Sequence, residues 1–304
     1  MIMMIGLPGS GKSYEAATIA KELDAVIVAS DDIREKHFAG TYSSAENVCV
    51  FQKVHKTIKQ NLLQGKSVIF DATNLGSRKR EHFLKNELRN IPCEKIGILM
   101  ATPFSQCMKN NSNRSRKVPE EAIRRMYQNF QPPYYYEGFD AIQIVLWQQA
   151  DILSPWDFPD EYMDYSQDNP HHALSLGEHS KQTFRYVLNE YLMKQKINHP
   201  ECAVAALLHD CGKPLTKMFH DIKGNPTEEA HYYNHQNVGA YVSLFYSAQV
   251  PHIDSLLVSW LISKHMEPYE WEKNPQIRNK RICQYGAGLV RMLDILHEAD
   301  KFAH

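Results

Sequence analysis

Gly6-Leu7-Pro8-Gly9-Ser10-Gly11-Lys12-Ser13 is the stretch that decides the fold of the first half of this chain. It grows out of an apolar run, Ile2 to Leu7, and opens a stretch of helical character from Tyr14 to Leu23. Gly6, Gly9, Ser10 and Gly11 let backbone N–H groups curl around a phosphate chain at a helix N-terminus. Lys12 adds a compact positive charge, and Ser13 offers a hydroxyl to Mg²⁺. Strand, glycine loop and helix in that order are the context of a phosphate-binding loop (P-loop), with ATP and Mg²⁺ as the expected ligands.

Working outward, short apolar runs recur at Ala25 to Ala29, Ser67 to Phe70, Lys95 to Ala101 and Asp140 to Leu146, separated by helix-like stretches. That rhythm predicts an α/β domain with a parallel sheet and flanking helices. From Asp151 to Gly177 the composition shifts to Pro, Asp, Ser and aromatics, with Pro155, Pro159 and Pro170 interrupting any helix. Beyond it, Phe184, Val187, Leu188, Tyr191 and Leu192 recur at helical spacing, as do Ile253, Leu257, Trp260 and Leu261. The expected organisation is a first domain over 1–153, a linker over 154–176 and an all-α domain over 177–304.

The composition agrees with two soluble cores: 43% of the 304 residues are hydrophobic and 23% charged. No apolar run reaches about 18 residues, and the opening MIMMIGLPG lacks a basic flank and a small-residue cleavage pattern. Neither a membrane span nor a signal peptide is expected, and the compartment implied is the cytoplasm. The six cysteines form no CxxC pair, which argues against a disulfide framework or a zinc–thiolate site. Charge is divided: residues 1–150 hold 20 Lys and Arg against 15 Asp and Glu, and 151–304 hold 14 against 20. A basic first half suits a polyanionic substrate, and an acidic second half suits bound cations. Twelve of the fifteen histidines lie from His171 onward.

In the first half, Ser30-Asp31-Asp32-Ile33-Arg34 puts carboxylates at the C-terminal edge of the sheet, where open α/β folds bind ligands. Asp31 or Asp32 is placed to take the proton of an attacking hydroxyl. Val68-Ile69-Phe70-Asp71-Ala72-Thr73-Asn74 is a second strand ending in an acid, suited to Mg²⁺, and is followed by Arg78, Lys79 and Arg80. From Lys109 to Arg125 six basic residues, Arg114 and Arg116 among them, face two acids around the helix start at Pro119. Such a segment can close over a transferring phosphate as a lid.

In the second half, Ala203 to Leu208 leads into adjacent His209 and Asp210, then Cys211-Gly212-Lys213. A buried imidazole beside a buried carboxylate is costly unless the two are paired or metal-bound. His179 opens an amphipathic helix upstream. His231 and His235, four apart, fall on one face of any helix that carries both. Asp300 continues the apolar stripe of Leu289, Leu293 and Leu296, so its carboxylate points inward and calls for a cation.

The set GLPGSGKS, SDDIR, DATNLGSRKR and NSNRSRKVPEEAIRRMY, in that order, resembles the 5′-kinase domain of phage-type polynucleotide kinases. The resemblance implies Lys12 and Ser13 as the P-loop pair, Asp31 as general base, Arg34 as a clamp on the acceptor phosphate and Arg114 as a lid arginine. It also implies a second lid arginine where this chain has Asn110. His179, His209-Asp210 and Asp300 resemble the ligand set of the HD superfamily. That likeness implies His235 and His265 as second-metal ligands, Asp210 as a bridge, Lys213 as the neutraliser of substrate phosphate, and a divalent Mn²⁺, Ni²⁺, Co²⁺ or Fe²⁺. Together the halves resemble HD-polynucleotide-kinase end-healing enzymes, which implies a 5′-OH kinase joined to a phosphohydrolase acting on 2′, 3′ or 2′,3′-cyclic phosphate at RNA or DNA ends. The chain has no DxDGT phosphatase motif and no KxDG ligase motif, so sealing falls to a separate ligase. Two other readings stay open: a kinase and phosphohydrolase of small nucleosides and nucleotides, and a nucleotide-sensing regulator.

Overall fold

The runs that are apolar without alternation become the interior of a sheet covered on both sides. In the computed structural model, which describes residues 1–38, 44–147, 160–169 and 174–303, β1 (Ile2–Ile5) has all four residues buried. After it come α1 (Lys12–Leu23), β2 (Val26–Ala29), α2 (Ser30–Phe38), α3 (Ser44–Leu63), β3 (Val68–Asp71), α4 (Ser77–Glu81), β4 (Ile96–Ala101), α5 (Phe104–Ser112), α6 (Glu120–Gln128) and β5 (Ala141–Leu146). The sheet order is β2-β3-β1-β4-β5 with every pair parallel. Both faces of such a sheet lie under helices, which is why its strands read as unbroken apolar runs. Connections leave β1 and β3 in opposite directions, so the crevice for a ligand opens where these two neighbours end. The P-loop follows β1 there, and Asp71 ends β3 beside it.

Not every cation of this unit serves a ligand. Arg80 is 1% exposed and Glu137 is fully buried, and they pair through two bonds of 2.7 and 2.8 Å. Arg80 also donates to the Asn74 carbonyl at 2.8 Å, tying the turn after β3 to the body of the unit. Burial raises the Glu137 carboxyl above its ordinary range, and the Arg80 guanidinium opposes that rise. Removing one partner of a buried pair strands the other, at about 3–5 kcal/mol. Glu137→Leu is expected to cost more than Arg80→Leu, because a stranded glutamate can take up a proton and a stranded arginine cannot lose one. Urea denaturation followed by loss of nucleotide binding ranks the two.

The second region is helical: α7 (Asp160–Met163), α8 (Leu176–Tyr186), α9 (Pro200–Leu208), α10 (His235–Ser247), α11 (Ser255–Lys264), α12 (Pro268–Lys273), α13 (Pro275–Tyr285) and α14 (Ala287–Phe302). One hairpin of β6 (Met218–His220) and β7 (Pro226–His231), antiparallel, is added to the expected all-α arrangement. Its turn is built by Asp221, whose carboxylate accepts from the N–H groups of Lys223 and Asn225 at 2.8 Å. By packing, the chain divides into Met1–Met126 with Pro133–Gln149, and Tyr127–Pro132 with Ala150–His304. Pro155, Pro159 and Pro170, from which the linker was inferred, lie outside the described residues. No helix among the described residues is long and apolar enough to cross a membrane.

Candidate functional site

The P-loop is held from behind by helix α5. Gly9 has φ of 82°, and a Cβ there would lie 2.3 Å from the Cys107 carbonyl oxygen, so only glycine fits this position. The Asn110 amide donates to the Gly9 carbonyl at 2.8 Å, and Thr102 donates to the Ser10 carbonyl at 3.0 Å. Asn110, where the family resemblance implied an arginine, thus anchors the loop. Gly11, also left-handed at φ 92°, caps α1 and starts it at Lys12.

A cleft of about 1030 Å³ opens over this loop, and its walls bring together Lys12, Ser13, Asp31, Arg34, Asp71 and Arg114. Asp31 sits in the first turn of α2, directly after β2. Arg34 is 4% exposed and donates to Asn47 at 2.7 Å. Arg114 and Arg116 lie on the loop between α5 and α6, and Arg116 reaches Asp31 at 3.8 Å. That loop is closed by Asn111, which donates to the Val118 carbonyl at 2.9 Å and accepts from the Val118 N–H at 3.0 Å. Nothing in the local pattern singled out Asn111, because its role depends on a partner across the loop.

Burial drives the Lys12 ammonium down to about 8, with Asp71 opposing and Arg114 reinforcing the shift. Polyphosphate beside the ammonium favours the charged form, so the complex holds this proton to higher pH than the ligand-free protein. ATP affinity should therefore be level below pH 8 and fall about tenfold per pH unit above it, until the pKa of the complex is reached. A fluorescent-nucleotide titration from pH 7 to 9.5 checks this, and Lys12→Met should flatten the profile.

The second constellation is assembled from five helix ends. Ser175 caps α8 by accepting the Glu178 N–H, and His179 follows in the first turn. Helix α9 starts at Pro200, buries Cys202 through Leu208 and delivers His209 and Asp210 at its C-terminus. His235 begins α10, His265 follows the last residue of α11, and Asp300 lies in the last turn of α14. All six residues are at most 8% exposed. Gly212 makes the assembly compact: a Cβ there would fall 2.1 Å from the His235 carbonyl oxygen.

Each histidine turns the same atom inward. The Nδ1–H groups of His209, His235 and His265 donate to the carbonyls of Ala206, Tyr232 and Ile262 at 2.7–2.8 Å, and His179 donates to Ala303 at 3.3 Å. These bonds fix the tautomer and aim four Nε2 lone pairs at the centre. His179 and His209 Nε2 converge to 3.1 Å, with Asp300 Oδ1 at 3.1 and 3.4 Å from them and Asp210 Oδ2 at 3.6 and 3.3 Å. On the other side, Asp210 Oδ1 lies 3.2 Å from His235 Nε2 and 3.9 Å from His265 Nε2. The two triads His179, His209, Asp210 and Asp210, His235, His265 each suit one metal ion, so Asp210 is placed to serve both.

The electrostatics point the same way. Burial opposes charge on His209, yet Asp210 and Asp300 raise it to about 10, while burial and the neighbouring His235 and His209 lower His265 to about 3. The cluster demands positive charge but has no room for adjacent imidazolium ions, a demand that divalent cations meet. A divalent cation here supplies Lewis acidity and an activated water. Tyr269 donates to Asp300 Oδ2 at 2.8 Å, fixing that carboxylate. Lys213 is 4% exposed and reaches Asp210 Oδ2 at 2.7 Å.

His231 is a correction. It ends β7, and Asn234, left-handed at φ 62°, breaks the chain direction before α10, so His231 and His235 share no helix face. His231 stacks on Tyr233 instead. Asparagine tolerates that backbone region, which is why a helix starts after it.

Comparison with known proteins finds one domain family in each half of the chain. Residues 1–133 match the AAA domain family and residues 176–303 match the HD domain family. The chain joins an AAA-type P-loop domain to an HD domain. Among curated relatives, an L-seryl-tRNA(Sec) kinase of Methanococcus maripaludis is 30% identical over 48% of this chain and 58% of its own length. A bifunctional polynucleotide phosphatase/kinase of Acanthamoeba polyphaga mimivirus is 30% identical over 48% of this chain and 32% of its own. The chain thus spans about half or less of the lengths of these relatives. A chain in the Pnkp1/Rnl/Hen1 RNA repair complex aligns at 23% identity over 42% of each chain, with a TM-score of 0.37.

Proposed function

We propose that this chain is a bifunctional nucleic-acid end-healing enzyme. Residues 1–153 transfer the ATP γ-phosphate to a 5′-OH, and residues 177–304 remove a 2′, 3′ or 2′,3′-cyclic phosphate with the help of divalent metal. The observation that carries this reading is the cleft itself. It holds Lys12 and Ser13 for the nucleotide, Asp31 for the acceptor hydroxyl, and Arg34 and Arg114 for phosphate on either side of the transfer. Two features favour a polynucleotide acceptor over a free nucleoside. Arg116, Lys117 and Arg125 line the same cleft, more positive charge than a single nucleoside can use. Both curated relatives bear names that pair a kinase with tRNA or polynucleotide.

In the HD region, Lys213 would neutralise substrate phosphate while His179, His209, Asp210 and Asp300, with His235 and His265, hold the metal. A separate ligase would seal the healed ends. The test incubates the protein with ATP, Mg²⁺ and Mn²⁺ and matched RNA and DNA oligonucleotides bearing 5′-OH and either 3′-phosphate or 2′,3′-cyclic ends, then resolves both termini. Gain of phosphate at the 5′ end and loss at the other is expected. Phosphorylation of free nucleosides with no labelling of oligonucleotides would overturn the polynucleotide assignment, and ATP binding with no turnover on any acceptor would leave a sensor.

A further inference from the structure

Gln167 lies 46 residues before Lys213 and outside every motif, yet it is 2% exposed. Its amide has one workable orientation: Oε1 accepts from Lys213 Nζ at 2.7 Å and Nε2 donates to the Leu174 carbonyl at 3.2 Å. A flipped amide would set its NH₂ against an ammonium and its oxygen against a carbonyl. The backbone around it is fastened too. The Tyr232 hydroxyl donates to the Gln167 carbonyl, Ala230 N–H donates to the Asp168 carbonyl at 2.9 Å, and Asn169 donates to the Ala230 carbonyl at 3.0 Å. Tyr232 also accepts the Nδ1 proton of His235 on its own carbonyl, and its ring centre lies 5.5 Å from Lys213 Nζ. Gln167 is therefore joined both to the lysine and to the residue that aims His235.

We propose that Gln167 is a positioning residue that, with Asp210 as the counter-charge, orients the Lys213 ammonium toward an incoming phosphate without adding a second negative charge. The inference rests on the reading of Lys213 as the phosphate-binding cation of the HD region. A carboxylate at this position would orient the lysine equally well, but beside Asp210, already 2.7 Å from the ammonium, it would set a second negative charge where a phosphate must approach. A neutral amide oxygen orients without that charge. Arg34 receives the same treatment from the amide oxygen of Asn47 at 2.7 Å. In both domains a cation assigned to phosphate has an amide oxygen among its partners.

The experiment uses the full chain loaded with Mn²⁺. It measures inorganic phosphate binding by calorimetry, Mn²⁺ stoichiometry, and kcat and KM on a 3′-phosphorylated oligonucleotide. Gln167→Leu should weaken phosphate binding and raise KM about tenfold, the scale of one hydrogen bond to a charged group. Its kcat, Mn²⁺ stoichiometry and 5′-kinase activity should stay at wild-type values. In a Lys213→Met background Gln167→Leu should add nothing, because it acts through that lysine. Equal losses in both backgrounds, or wild-type phosphate affinity in Gln167→Leu, would overturn the assignment. Should Gln167→Leu fail to fold, Gln167→Glu keeps the size and the acceptor oxygen but adds charge, and wild-type phosphate affinity in that variant overturns it equally. Phosphate binding needs no turnover, so a wild-type protein that hydrolyses no phosphoester would sink the functional reading and leave this test standing.

Discussion

Asp210→Asn and Asp210→Ala are expected to abolish phosphohydrolase activity while 5′ phosphorylation continues at the wild-type rate. Asp210 is the one carboxylate whose two oxygens face both groups of histidines, Oδ2 toward His179 and His209 and Oδ1 toward His235 and His265. Removing it takes a ligand from each half at once, so neither ion keeps its full set of donors. The loss should be read in metal content as well as in rate. Asp210 is also the counter-charge of buried Lys213, at 2.7 Å, so alanine strands a cation and asparagine is the safer variant for folding. The kinase should not notice. On the proposed reading its Mg²⁺ would arrive with ATP and be held by Ser13 and phosphate oxygens, and Ser13 belongs to the other unit of the chain. If a well-folded Asp210→Asn variant loses both activities together, the two-site reading fails and the histidine cluster belongs to one composite active site.

The parts of this fold that were legible are those that repeat or that chemistry forbids by accident. The central strands β1, β3 and β4 are buried almost throughout and so read as apolar runs, the partly exposed edge strands β2 and β5 are apolar enough to be visible too, and β1 ran straight into the glycine loop. His209 beside Asp210 was visible because burying both without a cation is costly. What escaped were the roles of polar residues that brace the sites from a distance: Asn110 bonds Gly9 across 101 residues, Arg80 bonds Glu137 across 57, and Gln167 bonds Lys213 across 46. No period or spacing marks such a residue, since its meaning lies in the fold and not in its neighbours. Gly212 escaped for a related reason, as its need for glycine comes from the close approach of the His235 backbone rather than from its own φ. His231 misled because periodicity holds only within one element, and β7 ends at His231 before Asn234 caps the start of α10. The hairpin at β6 and β7 did carry a signal, the Asp221 to Asn225 turn with Gly224, which helical expectation outweighed.

Asp31→Ala should lower the rate of 5′ phosphorylation by about 10² to 10⁴, the range for loss of a positioned base, with ATP binding retained. Geometry separates the two effects. A nucleotide would be held by loop N–H groups and Lys12, and the contacts that shape this loop, Asn110 to the Gly9 carbonyl and Thr102 to the Ser10 carbonyl, do not involve Asp31. Asp31 instead starts the helix after β2, on the cleft wall, with its side chain 55% exposed and so open to an incoming hydroxyl. Its charge also raises the Lys12 pKa slightly, so its removal alters ATP affinity little. The next residue makes the control. Asp32 stands in the same turn and lines the same cleft, and the order of the motif alone left either acid eligible. Asp31 lies 3.8 Å from Arg116, an arrangement that turns its carboxylate toward the basic wall where an acceptor's phosphates would run. Asp32→Ala should therefore keep turnover close to wild type, and Asp31→Asn, which preserves size without basicity, should be as slow as Asp31→Ala. Single-turnover rates with a 5′-OH oligonucleotide, alongside nucleotide affinities for all three variants, distinguish the cases. Loss of ATP binding in Asp31→Ala would make it part of the nucleotide site, and a slow Asp32→Ala beside a fast Asp31→Ala would move the base by one residue.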